Sequence, residues 1–434
     1  MLWLSLSLAA PLRAPANKPA VVVWEPGLRH DLVYVKRSGA FHGEPAWPGA
    51  TVTPLFEDAP TPELAAWYSV RVAPWQGPQV ADAFNAQPWV EVAYLPAEPQ
   101  PPPVDIPPTT PDFKGEQGWL NDAPTGVGWI EAANWPGGDG RNVAIADLEY
   151  SWDEDHEDLP TTVDIRRVGW DSGLYKFHGT AVWGQLVAPD NGYGVTGLCP
   201  AAEPVMVFPY TAPDAYDVAG AIVDAVAVLK PGDVLLIEQQ TVANGAYAPV
   251  EAEPAVWDAI AYATDSGIAV IEAAGNGGQD LDDPGFDGWF DRSVRDSGAF
   301  MVGGGNSPLS GSMERASAPQ SNYGSRIDLQ GWFDGIVTAI NGDYNGYYAD
   351  LYYPDDDYRQ AYTTQFGGTS GASPMVAGLA VIFQSVAIEL HGQPWDPMDL
   401  RALMVSTGTP QQGTRATGPQ PDLRKLLRYG MVPG

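Results

Sequence analysis

Between residues 140 and 390, short apolar runs alternate with longer stretches whose apolar residues recur every three or four positions. Val143-Ala144-Ile145-Ala146, residues 233–237 (Asp-Val-Leu-Leu-Ile), residues 268–271 (Ile-Ala-Val-Ile) and residues 300–303 (Phe-Met-Val-Gly) are too short for helices and read as strands. Residues 217–229 set Val218, Ala219, Ile222, Val223, Val226 and Leu229 on one helical stripe, and residues 257–264 and 374–388 read as further helices. Short apolar strands alternating with helices predict an α/β fold: a buried, mostly parallel sheet with helices on both faces. No internal repeat is present.

The pattern before residue 113 is different. Residues 21–24, 32–35 and 90–94 predict strands. Residues 62–68 predict a short helix, and Val80, Ala83 and Phe84 mark a second. Together they describe a small α+β unit over 17–98. A proline-rich stretch follows, with Pro99, Pro101, Pro102, Pro103, Pro107 and Pro108. Proline removes backbone donors and favours extended chain, so 99–112 reads as an exposed linker. Residues 1–16 open on an apolar run and end in small residues, as a secretory signal peptide does, although without its positive start. No later stretch is long enough, without interruption, to cross a bilayer. The catalytic-sized region is then 113–434.

Composition narrows the partners. The 434 residues carry 54 acids against 22 bases, a net charge of −32. Such a surface excludes nucleic acid and anionic membranes as expected partners. The lone cysteine, Cys199, sits among apolar residues, which predicts a buried small hydrophobe rather than a disulfide or a nucleophile. Two acidic clusters, Asp280/Asp282/Asp283/Asp287 and Asp355/Asp356/Asp357, read as solvated loops.

Three segments carry chemistry, in a telling order. Asp147 follows the strand 143–146, where open α/β sheets place ligands. His178 opens an apolar helical stretch and is followed by Gly179, which permits close backbone approach. Ser370 lies in Gly367-Gly368-Thr369-Ser370-Gly371-Ala372-Ser373-Pro374, a run of small residues entering an apolar helix. Pro374 suits the first turn of that helix. Acid, histidine and serine in this order in one α/β chain point to nucleophilic catalysis with a serine activated by a general base.

These segments resemble those of the subtilisin-like serine peptidases (the subtilase, or S8, family), over about residues 113–434. The resemblance implies Asp147, His178 and Ser370 as catalytic triad. It assigns the oxyanion hole to Asn276 in Ala273-Ala274-Gly275-Asn276-Gly277. Glu238, Gln239 and Gln240, with Ala273, Ala274 and Gly275, would line the substrate cleft. His156-Glu157-Asp158-Leu159 is similar to the family's His-Pro-Asp-Leu and is expected to be scaffold. By the same resemblance 17–98 would be an inhibitory propeptide, giving a secreted zymogen that acts on polypeptides as a monomer, with its own propeptide as a partner. No cofactor is required for the chemistry, and structural Ca²⁺ is a further family trait.

The departures matter. After the strand the family has Asp-Thr/Ser-Gly where this chain has Asp147-Leu148-Glu149. Glu149 is expected to point to solvent; the alternative is a second carboxylate that shifts the pKa of Asp147. The substrate strand, usually Ser-Leu-Gly, reads Glu238-Gln239-Gln240. Two other readings stay open: a non-catalytic binding protein on the same fold, and a sedolisin-type acid peptidase, against which His178 and Asn276 count.

Overall fold

The computed structural model describes residues 18, 21–22, 27–38, 43–98, 108–161, 165–342 and 348–431. The expected signal peptide, and the linker over 99–107, lie outside the described residues. The chain divides into two compact units, 1–104 and 105–434.

In the first unit, β1 (Leu32–Arg37), β2 (Thr51–Pro54), β3 (Trp67–Arg71) and β4 (Val90–Tyr94) form an antiparallel sheet in the order β2-β3-β1-β4, with α1 (Gly77–Asn85) after β3. Val80, Ala81 and Phe84 of α1 pack on Val33, Val35, Val70, Val90 and Ala93. The helix expected at 62–68 is absent: residues 62–66 turn, and Trp67 begins a strand. The reason is pairing across the chain. Tyr68 and Val70 point inward as β3 joins β1 and β2, and that burial outweighs a weak local helical preference.

The second unit begins its regular structure with β5 (Ala144–Leu148), β6 (Arg166–Val168), α2 (Lys176–Leu186), β7 (Glu203–Val207) and the hairpin of β8 (Tyr210–Ala212) and β9 (Ala215–Tyr216). It continues with α3 (Val218–Val226), β10 (Val234–Ile237), the hairpin of β11 (Gln240–Ala243) and β12 (Ala246–Pro249), α4 (Pro254–Asp265), β13 (Ala269–Ala273), β14 (Phe300–Gly305) and β15 (Leu329–Trp332). A last hairpin, β16 (Ile336–Ala339) and β17 (Tyr362–Phe366), leads into α5 (Thr369–His391), α6 (Pro397–Thr407) and α7 (Leu423–Met431).

Seven of these strands make one parallel sheet in the order β15-β14-β13-β10-β5-β7-β6. Side chains alternate between its faces. Ile145, Leu236 and Ile271 meet α2 and α5, whereas Ala146, Leu235, Ile237 and Val270 meet α3 and α4. The α/β sheet with helices on both faces is therefore as the hydrophobic pattern predicts. Helix α5 is long and apolar enough to cross a membrane, but 94% of its most apolar window is buried within the protein, so it is the central core helix. Each Leu, Val or Ile fully buried there contributes about 1.5–3 kcal/mol. Pro374 lies inside α5 rather than in its first turn, because the helix starts at Thr369. Lacking an N–H, it cannot donate to the Ser370 carbonyl.

Candidate active site

Strands β5, β10 and β13 run parallel, so their carboxyl ends share one edge of the sheet. Residues 145, 147 and 149 project to the α2/α5 side of β5, two residues, or about 7 Å, apart along the strand. That alternation puts both acids on one face, and only the end of the strand separates them. Asp147 is inside the strand and fully buried. Trp152 Nε1 donates to its Oδ2 at 3.1 Å. The Trp183 indole lies close by without donating in good geometry, so Oδ1 has no partner among the described residues. Burial, and then the neighbouring Glu149 charge, hold the Asp147 carboxyl well above the usual carboxylate range.

Glu149 is the first residue beyond β5. Its side chain is 1% exposed, and Oε1 makes a short hydrogen bond with His178 Nδ1. Oε2 accepts from the Tyr150 N–H at 3.0 Å. Thus Glu149 is not directed to solvent, and the acid on His178 is Glu149 where Asp147 was expected. The physical cause is the length of the strand. Leu148 continues it as a buried apolar residue, which moves the carboxyl end two positions on. Reading the apolar run 143–148 through Asp147, as a strand that buries one acid, was the signal for this.

His178 sits in the first turn of α2. A Cβ at Gly179 would stand 2.4 Å from the Ser151 carbonyl, so the close approach expected there is real. With Nδ1 engaged, Nε2 is the ring nitrogen left to move a proton. Phe366, at the end of β17, meets the imidazole edge-on at 5.5 Å and leads directly into the serine segment.

Ser370 is the second residue of α5 and is 6% exposed. The first N–H groups of a helix have no partner within it and favour negative charge. Asn276 is fastened beside them. Its Oδ1 accepts from the Thr369 N–H at 2.9 Å and from Thr369 Oγ1 at 3.2 Å, and its own N–H donates to Gln240 Oε1 at 2.9 Å. Gly368 has φ +83°, and a Cβ there would stand 3.3 Å from Asn276 Nδ2, so the amide rests on the glycine's bare face.

The residues expected to line the cleft follow the same edge. Ala273 and Ala274 are buried at the end of β13, and the Gly275 N–H donates to Thr369 Oγ1 at 3.1 Å. Gln239 is buried, and its amide has no partner among the described residues. Glu238 follows β10 and lies 2.7 Å from Ser373 Oγ, near Ser370. Its burial, followed by the neighbouring Glu149 charge, holds it well above the usual carboxylate range.

The surface acids differ. Asp283 caps the Gly285 N–H at 2.7 Å, Asp282 accepts from the Ser325 N–H at 2.8 Å, and Asp357 pairs with Arg359 at 2.6 Å. Among the described residues no group of three or more His, Cys, Asp or Glu is arranged to hold a metal ion. Cys199 is buried, and burial pushes its thiol up.

Residues 139–429 match the model of the subtilase family. The chain belongs to that family and is a subtilisin-like serine endopeptidase. It is 28% identical over 283 residues to an intracellular serine protease of Paenibacillus polymyxa, covering 62% of this chain and 74% of the relative. It is 26% identical over 298 residues to subtilisin E of Bacillus subtilis (strain 168), covering 67% of each. Among solved structures, fervidolysin from Fervidobacterium pennivorans is similar in fold, with a TM-score of 0.52 at 15% identity over 97% of this chain and 66% of that one.

Proposed function

We propose that this subtilase hydrolyses peptide bonds through Ser370, His178 and Glu149, and that it is made as a secreted zymogen whose first unit is the propeptide. The observation that carries the reaction is the hydrogen bond between Glu149 Oε1 and His178 Nδ1, at the sheet edge where Ser370 and Asn276 also lie. His178 Nε2 takes the hydroxyl proton as Ser370 Oγ attacks the peptide carbonyl. Glu149 holds the tautomer and stabilises the imidazolium that forms. The oxyanion is met by the Ser370 N–H and the Asn276 amide, each such donor contributing about 3 kcal/mol to the transition state. His178 then gives the proton to the leaving amine, and water resolves the acyl-enzyme by the same steps.

The zymogen reading is supported by the separate core of the first unit and by the proline-rich composition of the segment after it. The test uses purified protein, casein and a fluorophosphonate. Wild type should hydrolyse the one and be labelled by the other, and Ser370→Ala should do neither. A mutant with wild-type activity would refute the nucleophile. Amino-terminal sequencing of the active material should begin within 99–112; an intact terminus at position 17 would remove the zymogen part alone.

A further inference from the structure

Glu238 presents a problem in counting hydrogens. Ser373 Oγ stands 2.7 Å from Glu238 Oε1 and 2.8 Å from the Thr369 carbonyl oxygen. A serine hydroxyl has one hydrogen to give, and a carbonyl has none. Both contacts are satisfied together only if Glu238 supplies the second hydrogen. The chain of donors then runs from Glu238 Oε1–H to Ser373 Oγ, and from Ser373 O–H to the Thr369 carbonyl. The Thr369 peptide is the one immediately before Ser370, so this chain grips the first turn of α5 from below.

The surroundings favour the neutral carboxyl. Glu238 is 6% exposed. From β5 it faces Asp147 and Glu149, with His178 of α2 beyond Glu149. From α5 the hydroxyls of Ser370 and Ser373 reach it. Glu272 of β13 lies opposite Ile237, but the alternation of the strand sends it to the α3/α4 face. Glu238 makes no ion pair among the described residues. Burial, followed by the neighbouring Glu149 charge, raises its pKa. Its second oxygen, Oε2, is buried without a hydrogen-bond partner among the described residues, and the Ser370 hydroxyl is near enough to the carboxyl to influence it.

We propose that Glu238 is a positioning residue for the nucleophile: neutral, it fixes the Ser370 turn through Ser373 and leaves the Ser370 hydroxyl to His178; ionised, it draws that hydroxyl to itself. This rests on the peptidase reading. Ionisation would remove the hydrogen from the Ser373 chain and make Oε2 a strong acceptor for the Ser370 proton that His178 must take. It would also set a negative charge beside the developing oxyanion. The substitution of a carboxyl at this lining position then sets the alkaline boundary of activity.

The test is the pH dependence of kcat and KM for the active wild type, Glu238→Gln and Glu238→Ala, on one peptide substrate, with fluorophosphonate labelling alongside. Wild-type kcat should fall along an alkaline limb while KM holds. Glu238→Gln cannot ionise yet still donates to Ser373. Its kcat at the optimum should stay within about tenfold of wild type, and the limb should flatten. Glu238→Ala should lose about 10²-fold in kcat at every pH, the scale of a displacement of roughly 1 Å at the reacting atom. Superimposable profiles for wild type and Glu238→Gln would overturn the proposal. So would a folded Glu238→Gln as weak as Glu238→Ala, since the charge would then be what matters. Should Glu238→Ala not fold, the Glu238→Gln limb alone decides. A wild type that is neither labelled nor active at any pH would instead sink the peptidase reading, and this inference with it.

Discussion

Two groups of carboxyls in this chain have the same chemistry and opposite fates. Asp280, Asp282 and Asp283 lie on a loop where backbone N–H groups are close, and each accepts at least one. Asp147, Glu149 and Glu238 lie at the carboxyl edge of the parallel sheet, beneath α2 and α5, where donors are scarce. Asp147 has an indole, Glu149 an imidazole and a single N–H, and Glu238 only a serine oxygen to which it gives its own proton. A carboxylate surrounded by amides is complete as scaffold. A carboxyl short of donors keeps a proton or seeks a histidine, so scarcity rather than acidity marks the working group.

The sharpest way to break that comparison is to neutralise the edge acids one at a time. Glu149→Gln removes the charge on His178 Nδ1 and should lower kcat by on the order of 10³–10⁴. Asp147→Asn should change kcat by less than about tenfold, because the carboxyl it replaces is already held toward its neutral form by burial. A crippled Asp147→Asn beside an active Glu149→Gln would exchange their roles.

A buried base offers the opposite sign. His156 accepts the Asp158 N–H on Nδ1 at 3.2 Å and approaches the Ala361 carbonyl with Nε2 at 3.0 Å, which requires the neutral ring. Burial lowers its pKa to about 4. Between about pH 6.5 and 4 the unfolded chain therefore binds the proton and the folded chain does not, so folding loses stability as pH falls, by on the order of 3 kcal/mol. His156→Gln can keep both hydrogen bonds without titrating. Denaturant unfolding at pH 7 and pH 4.5 should show wild type losing ground to the mutant; parallel curves would exclude the effect. The smallest change is expected on the loop. Asp282→Ala forfeits two bonds to Ser325, about 1–2 kcal/mol of stability, and should leave kcat unchanged. A fall in kcat would show that the loop acids also serve the site.

What could be read from the amino acids depended on how local the cause was. The apolar strands, the stripe of α3 and the small-residue turn before α5 announce themselves within a few residues of where they act. The choice between Asp147 and Glu149 does not, because a period of two puts both on one face, and only the strand's end separates them. The turn at 62–66 and strand β3 were hidden because their stabilisation comes from β1 and β2. Glu238 was legible as a lining position. Its closeness to Ser373 spans 135 residues of chain, and no spacing rule reaches that far.

The same long reach has a consequence for the order of events in folding. The contacts that assemble the site join residues 29, 93 and 135 positions apart. Each closes a loop whose entropy must be lost before the contact offers any return. β5, β10 and β13 must be in register, and α5 docked over them, before His178, Asn276 and Ser370 share one edge. A partly folded chain therefore holds a serine that is chemically ordinary. Competence to cut arrives with the last long-range contact, so the appearance of fluorophosphonate reactivity during refolding would time the completion of the sheet.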